Sequence, residues 1–382
     1  LHPGPKEFQQ FASLRQEESR RALAGLGVTS QDILFFGYPD RGLMTLWNDH
    51  WSPDGAYASP YTGCSASPYA DTFHPGSCYC GSDVVEDIKT AMRAFHPNVV
   101  TVTHPAEDHT DHAAAAAFVT LALRELQSDP RDAEWARQTR LDYYLIHRGD
   151  WPAPNGTSPN QPLLPPAAMT QTDTHWASLP LTPEEVTRKA HSIERYPSQT
   201  TVMPTFLRSF IRSNELFGNI ETGSLAVVPD GSIRLHADPS DWSALPPTLI
   251  DPVRDNVLRD LQGGGDIRAL TLCRDSDHLY ARLDMRRPIS KRMTYTLRLR
   301  LFGPNGETGV HAVTLSLPHD GQTRPNVRTA SRDRMLEAAI PWDMLESNSQ
   351  AKPAQLLAVS VETSLSGVEI DKTGVRFLSL NH

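Results

Sequence analysis

The densest run of chemistry-bearing residues is His104-Pro105-Ala106-Glu107-Asp108-His109-Thr110-Asp111-His112, closed by Asp108, His109, Asp111 and His112. Histidines three apart at a strand-to-helix turn can point into one cavity. There one can ligate a metal while the other stabilises an oxyanion. A carboxylate between them can orient an imidazole and fix its tautomer. The same residues also suit a plain helix start, with Asp108 and Asp111 as acidic capping residues and two exposed histidines. A catalytic zinc site takes three protein ligands and an open position, and this run offers one or two. His147 closes the next apolar run. It either lines the same cavity or bonds to backbone beside a Pro-rich loop.

The elements around the cluster follow from periodicity. Val99–Thr103 is a β-branched strand that runs straight into it, and the Ala-rich segment Ala113–Leu126 reads as the helix that follows. Residues 8–27 read as a helix closed by Gly27, with Phe11, Leu14, Ala22, Leu23 and Leu26 on one face. Ile33–Phe36 reads as a short buried strand stopped by Gly37, Pro39 and Asp40. A long irregular stretch from Leu46 to Gly81 follows, rich in Tyr, Pro, Ser, Gly and Trp. Its Trp47, Trp51, Tyr57, Tyr61, Tyr69 and Tyr79 either pack the loop onto the domain, the leading reading, or form a substrate-facing wall. Ser82–Phe95 is amphipathic, and residues 141–146 make another strand. This alternation predicts an α/β domain built on a parallel sheet with helices on both faces. In such sheets ligands sit at the carboxyl ends of the strands, where the His/Asp cluster lies.

Residues 150–180 are aperiodic, and 183–217 read as mostly helical with breaks at Pro197 and Pro204. The character then changes. Ile267–Leu272, Leu279–Leu283, Thr294–Phe302, Val310–Leu317, Leu356–Glu362 and Val375–Leu380 are short β-like runs, and Tyr295, Leu297, Leu299 and Leu301 alternate as in a half-buried strand. That density predicts an all-β sandwich. The expected division is a first domain over 1–217, a linker over 218–229 and the sandwich over 230–382.

Composition narrows the class. The 382 residues carry 45 Asp+Glu against 36 Lys+Arg, a net charge of −9, which argues against nucleic acid as a partner. No apolar run is long enough to span a membrane. Cys64, Cys78, Cys80 and Cys273 are an even set. A bridge from Cys64 to Cys78 or Cys80 and a set of free thiols stand as equal alternatives, and Cys78-Tyr79-Cys80 is tighter than the usual CxxC spacing. Leu1 is not Met and no signal-peptide pattern follows it, so any leader is expected ahead of this segment. Two joined domains and an even cysteine count favour an extracellular or periplasmic protein over a cytoplasmic one.

Asp108-His109-Thr110-Asp111-His112 after a Val-rich strand resembles the second metal-site motif of the PIG-L/LmbE-like zinc de-N-acetylases, usually His-Pro-Asp-His, with Thr here at its second place. Arg15-Gln16-Glu17-Glu18 through Leu26-Gly27-Val28 resembles the family's Arg-x-x-Glu helix. Phe35-Phe36-Gly37-Tyr38-Pro39-Asp40-Arg41-Gly42 resembles its strand and Asp-x-Gly loop. Leu145–Gly149, Tyr196–Gln199 and Arg212–Phe217 are similar to a bacterial branch, so the resemblance spans about residues 2–217. It implies a Rossmann-like fold and a Zn2+-dependent removal of acetyl from an N-acetylglucosamine-type sugar or glycoconjugate. It also implies His112 as zinc ligand, His109 as the oxyanion and acid histidine, and Asp111 as the residue that orients a histidine. Arg15 and Asp40 would bind sugar hydroxyls, with His147 beside them.

One departure is large. The family's first motif, Ala-His-Pro-Asp-Asp-Glu, which supplies two zinc ligands and the general base, has no counterpart in the sequence. An N-terminal fragment of the same gene product carrying that motif is the expected partner. The competing reading is a non-catalytic glycan-binding protein with a degenerate deacetylase domain. The C-terminal segments Ala237–Trp242, Gly265-Asp266-Ile267, Asp275–Tyr280 and Ala338–Trp342 resemble a carbohydrate-binding-module or DOMON-like β-sandwich, which implies a sugar or cofactor as ligand.

Overall fold

The computed structural model describes residues 3–149, 151–255, 264–303, 306–315, 326–345 and 354–380. Leu1, His2 and the end of the expected strand at Ser316-Leu317 lie outside the described residues. The chain divides into two compact units, one of Leu1–Pro166 with Trp176–Asn219 and one of Ala167–His175 with Ile220–His382.

The first unit begins with α1 (Pro5–Ala24), which Pro5 opens at a position where a missing N–H costs nothing. The chain then turns through Gly27, whose φ of 91° closes the helix end. The expected apolar face of α1 is only partly covered, since Ala22 is buried but Phe11 and Leu14 stand about half exposed. After α2 (Leu43–Asn48) and the long loop comes α3 (Gly81–Phe95), which buries Val84, Val85, Ile88 and Met92. Then follow β1 (Val99–Thr103), α4 (Thr110–Ser128), α5 (Ala133–Ala136) and β2 (Arg140–Tyr144). The unit ends with β3 (His175–Pro180), α6 (Pro183–Ile193), α7 (Pro197–Thr200), α8 (Pro204–Arg208) and β4 (Asn214–Asn219).

The sheet order is β1-β2-β4-β3. β1 and β2 are parallel, with Thr103 opposite Tyr144, as the alternating pattern predicts. The sheet as a whole is not parallel, however, because β4 runs antiparallel to β2. The expected Rossmann-like parallel arrangement is therefore corrected to a mixed sheet. The chain leaves β2 through a long Pro-rich stretch rather than a single crossover helix, so nothing constrains the returning strand to be parallel. Residues 214–217, expected to be helical, are the start of β4. Ile33–Phe36 is not a strand either. Among the described residues it pairs with no strand, and Leu34 is 50% exposed. Its Phe35 carbonyl accepts from the Phe73 amide of the long loop, and the Arg20 guanidinium lies over the Phe35 ring.

The second unit is a two-sheet sandwich. It begins with the short strands β5 (Gly223–Ser224), β6 (Ala226–Val227) and β7 (Leu249–Ile250). β8 (Ile267–Arg274), β9 (His278–Met285), β10 (Met293–Gly303) and β11 (Gly306–Leu315) are longer. β12 (Arg328–Arg332) and β13 (Met335–Pro341) lead through the helical turn α9 (Trp342–Leu345) to β14 (Leu356–Leu365), β15 (Val368–Lys372) and β16 (Arg376–Ser379). One sheet runs β11-β10-β14-β16-β5 with β15 on β14, and the other runs β12-β13-β9-β8-β6 with β7 on β8. Tyr295, Leu297, Leu299 and Leu301 point inward from β10 and meet Leu270, Leu272, Leu283 and Leu336 of the opposite sheet in one core. Trp242 is buried under this sheet and donates its indole N–H to the fully buried Glu337 at 2.9 Å.

Candidate active site

Because β1 and β2 are parallel, their carboxyl ends lie side by side, and the loops that leave them are bonded together. The His104 amide donates to the Tyr144 carbonyl at 2.7 Å, and the Asp108 amide donates to the His147 carbonyl at 2.9 Å. Glu107 is fully buried between these loops. Its carboxylate accepts from the Ile146 amide and, at 2.8 Å, from the His147 amide. Asp108 holds the outer part of the same junction, accepting from the Gly149 amide at 2.6 Å and pairing with Arg148 at 3.1 Å.

Three imidazoles converge here. The ring centroids of His109 and His112 are 4.7 Å apart, those of His112 and His147 are 5.3 Å apart, and those of His109 and His147 are 5.9 Å apart. His109 is the N-cap of α4, and its Nδ1 accepts from the Asp111 amide at 3.3 Å. An imidazole that accepts at Nδ1 carries its proton on Nε2, so His109 presents an N–H. His112 has the opposite arrangement. Its Nδ1 faces the Glu107 carboxylate at 3.2 Å, so the proton sits on Nδ1 and Nε2 keeps its lone pair. Both tautomers are assigned from their hydrogen-bond partners. His147 stacks on Phe206, with centroids 5.1 Å apart and planes 13° apart. Burial, with the nearby His112 and His109 adding to it against the pull of Glu107, lowers its pKa and favours the neutral ring.

The 39–43 loop closes the other side. Asp111 accepts from the Arg41 amide at 2.5 Å and from the Leu43 amide at 3.0 Å. Arg41 adopts the left-handed conformation at φ 54°, a strained backbone for a residue with a side chain. Burial raises the Asp111 pKa and the two amides oppose it. A side chain on Gly42 would start 2.6 Å from Pro39 Cγ and 3.1 Å from Tyr57, so only glycine allows this close approach. The result is that donor atoms of Asp40, His109 and Asp111 lie within 4.8 Å of one another.

The structure thus gathers His109, Asp111, His112, His147 and Asp40. Arg15 stands on α1 and makes its contact with the buried Glu18 at 3.7 Å, while its Nε is buried without a hydrogen-bond partner. Glu18 in turn accepts from the Ser198 amide at 2.9 Å and ties α1 to α7. Asp111 spends its carboxylate on loop amides, and the carboxylate that faces a histidine Nδ1 is Glu107. Sequence reasoning gave Glu107 and Phe206 no role, although Glu107 was visible as an extra carboxylate inside the motif. In the long loop Trp47 and Tyr79 are buried, and Trp47 packs edge-on to Trp51 and Phe118, so these aromatic residues anchor the loop.

These loops, the opposed histidine tautomers and the Asp-x-Gly turn lie largely within one matched segment. Residues 2–123 match the model of the PIG-L family, GlcNAc-PI de-N-acetylase. The PIG-L match contains Arg15, Asp40, Glu107, His109, Asp111 and His112, and it stops short of His147. No curated protein matches the chain by sequence. A solved structure, a carbohydrate binding module family 9 from Caldicellulosiruptor kristjanssonii in complex with cellotriose, is similar at 12% identity. The match covers 41% of this chain and 94% of that one, with a TM-score of 0.25. The sandwich architecture rests on its own strand pairing. No described helix is long and apolar enough to cross a membrane.

Proposed function

We propose that this protein is a zinc-dependent hydrolase that removes an acetyl group from an N-acetylglucosamine-type sugar or its conjugate. The observation that carries the reading is the opposed pair of tautomers at His109 and His112, inside the segment that matches a de-N-acetylase family. His112 fits a metal ligand, because the Glu107 carboxylate holds the Nδ1 proton and leaves Nε2 available. When bound, zinc supplies a polarised carbonyl and an activated water. His109 presents Nε2–H as a donor for the oxyanion that develops on the acetamide carbonyl. Asp111 holds the 39–43 loop so that Asp40 stands beside His109, where it can accept a sugar hydroxyl. Arg15 offers a cationic donor for the same sugar, and His147 packs as a neutral ring against His112. The sandwich unit is proposed to bind glycan, and an extracellular or periplasmic site of action goes with such a substrate.

The zinc ligand set is completed, in this proposal, by a segment that carries the family's first motif, on the same polypeptide or on another. Among the described residues β1 is an edge of its sheet, and Val99 is 43% exposed on it. A bare edge of this kind takes an added strand readily. The alternative is a non-catalytic glycan-binding protein with a degenerate deacetylase domain. Zinc analysis with an acetate-release assay separates the two. Loss of one equivalent of zinc in His112→Ala, together with loss of acetate release, supports the hydrolase. A protein whose zinc content is unchanged in His112→Ala, and that binds glycan without releasing acetate, supports the second reading.

A further inference from the structure

We propose that Cys78, Cys80 and Asp83 form a second metal site, for a thiophilic divalent cation of the zinc class. The two Sγ atoms and a carboxylate oxygen of Asp83 lie within 4.8 Å of one another. Zinc held at about 2.3 Å by sulfur and about 2.0–2.2 Å by oxygen sets tetrahedral neighbours roughly 3.5–3.8 Å apart, so the group needs only a small inward adjustment. The backbone explains the convergence. Cys78 is fixed by a β-bridge to Ala66, and Cys80 is extended at φ −141° and ψ 153°, ahead of the first turn of α3. Tyr79 between them is buried, and its hydroxyl donates to the Gly37 carbonyl at 3.1 Å. Asp83 sits in the first turn of α3 and accepts from the Cys78 amide at 3.0 Å, which holds its carboxylate beside the first thiol. Spacing alone hid this group, because the third donor lies one helical turn beyond the tight Cys-x-Cys pair.

All four cysteines of the chain are thiols in this structure. Burial, the contact with Cys80 and the charge of Asp83 together push the Cys78 thiol up to about 12, so it is neither a ready nucleophile nor a redox thiol. A bound cation reverses that balance. Two S–H bonds break, two S–metal bonds form and two protons pass to solvent, with no change of oxidation state. The resulting anionic ligand set lies at the N-terminal end of a 15-residue helix, where negative charge is favoured. The proposal is independent of the deacetylase reading, since it uses none of the residues around His112.

The test is a cobalt(II) titration of the full chain under reducing conditions, read as the near-ultraviolet thiolate-to-cobalt charge-transfer band. The band is expected in the wild type, in Cys64→Ser and in His112→Ala. It should be lost in Cys78→Ser and in Cys80→Ser and be weakened in Asp83→Asn. Should the fully buried Cys80 position not tolerate serine, the half-buried Cys78 and Asp83 variants decide. No band in a wild type whose thiols are all reduced would overturn the proposal. So would a band that survives Cys78→Ser, or one that disappears in His112→Ala. A Cys78–Cys80 disulfide found in the protein as isolated, by mass before reduction, would overturn it too.

Discussion

Glu107 sets what the two histidines of the motif can do. It is a buried carboxylate whose oxygens are taken up by the Ile146 and His147 amides and by His112 Nδ1. Glu107→Gln keeps the shape but puts an N–H where one acceptor stood, so the His112 tautomer is no longer specified. Losing a carboxylate that orients a metal-binding histidine typically costs 10–100-fold in metal affinity or activity. Zinc affinity measured by chelator competition should fall by about that much, and an unchanged affinity would mean that His112 binds no metal. At this scale much of the candidate site was legible. His109, Asp111, His112 and His147 stood out by residue type and position, and Asp40 only through the family resemblance; the structure brings these side chains near one another, and their roles remain the proposal. Glu107 and Phe206 were not assigned roles, because a carboxylate bonded to amides of another strand's loop and a ring stacked from a distant helix leave no local pattern.

At the scale of elements, strand β1, helix α3 and the strand-to-helix turn into α4 follow the periodicity closely, because one face of each is buried. The Ile33–Phe36 segment shows where periodicity misleads. An apolar run without a pairing strand among the described residues stays extended and half exposed, and is held by the Phe73 amide and Arg20. The mixed sheet was hidden for a similar reason, since strand direction depends on the long connection after β2 and not on any pattern within β4. The 39–43 loop is the element that a single atom can test. In Gly42→Ala the new Cβ would start 2.6 Å from Pro39 Cγ. Overpacking of this kind costs typically 1–3 kcal/mol. The displaced loop should also draw its amides away from Asp111. Urea unfolding should show the destabilisation, and amide exchange at Arg41 and Leu43 should quicken. A variant as stable as wild type with unchanged exchange would show that the loop has room to spare.

At the scale of the whole molecule, the two units carry separate cores, and the sandwich has its own electrostatic signature. Burial, then the charges of Asp255 and Asp266, hold the Asp371 carboxyl well above its ordinary value of 3.8. The folded state therefore binds this proton more tightly than the unfolded chain. The stability linked to it is complete below the ordinary value and is lost as pH rises through the raised one. Asp371→Asn has no such proton to lose. The stability of wild type minus that of the variant should fall as pH rises, as read from urea unfolding of the sandwich at a series of pH values. A difference that stays constant with pH would contradict this. The sandwich itself was legible as alternating strands, whereas its ligand is not written in strand pairing. The most direct test of the central claim is acetate release from an N-acetylglucosamine conjugate by zinc-supplemented protein that includes the segment carrying the first motif, with His112→Ala assayed alongside. The account predicts release by the wild type and its loss in the variant together with one equivalent of bound zinc. No release by the wild type, or equal release by both, would contradict it.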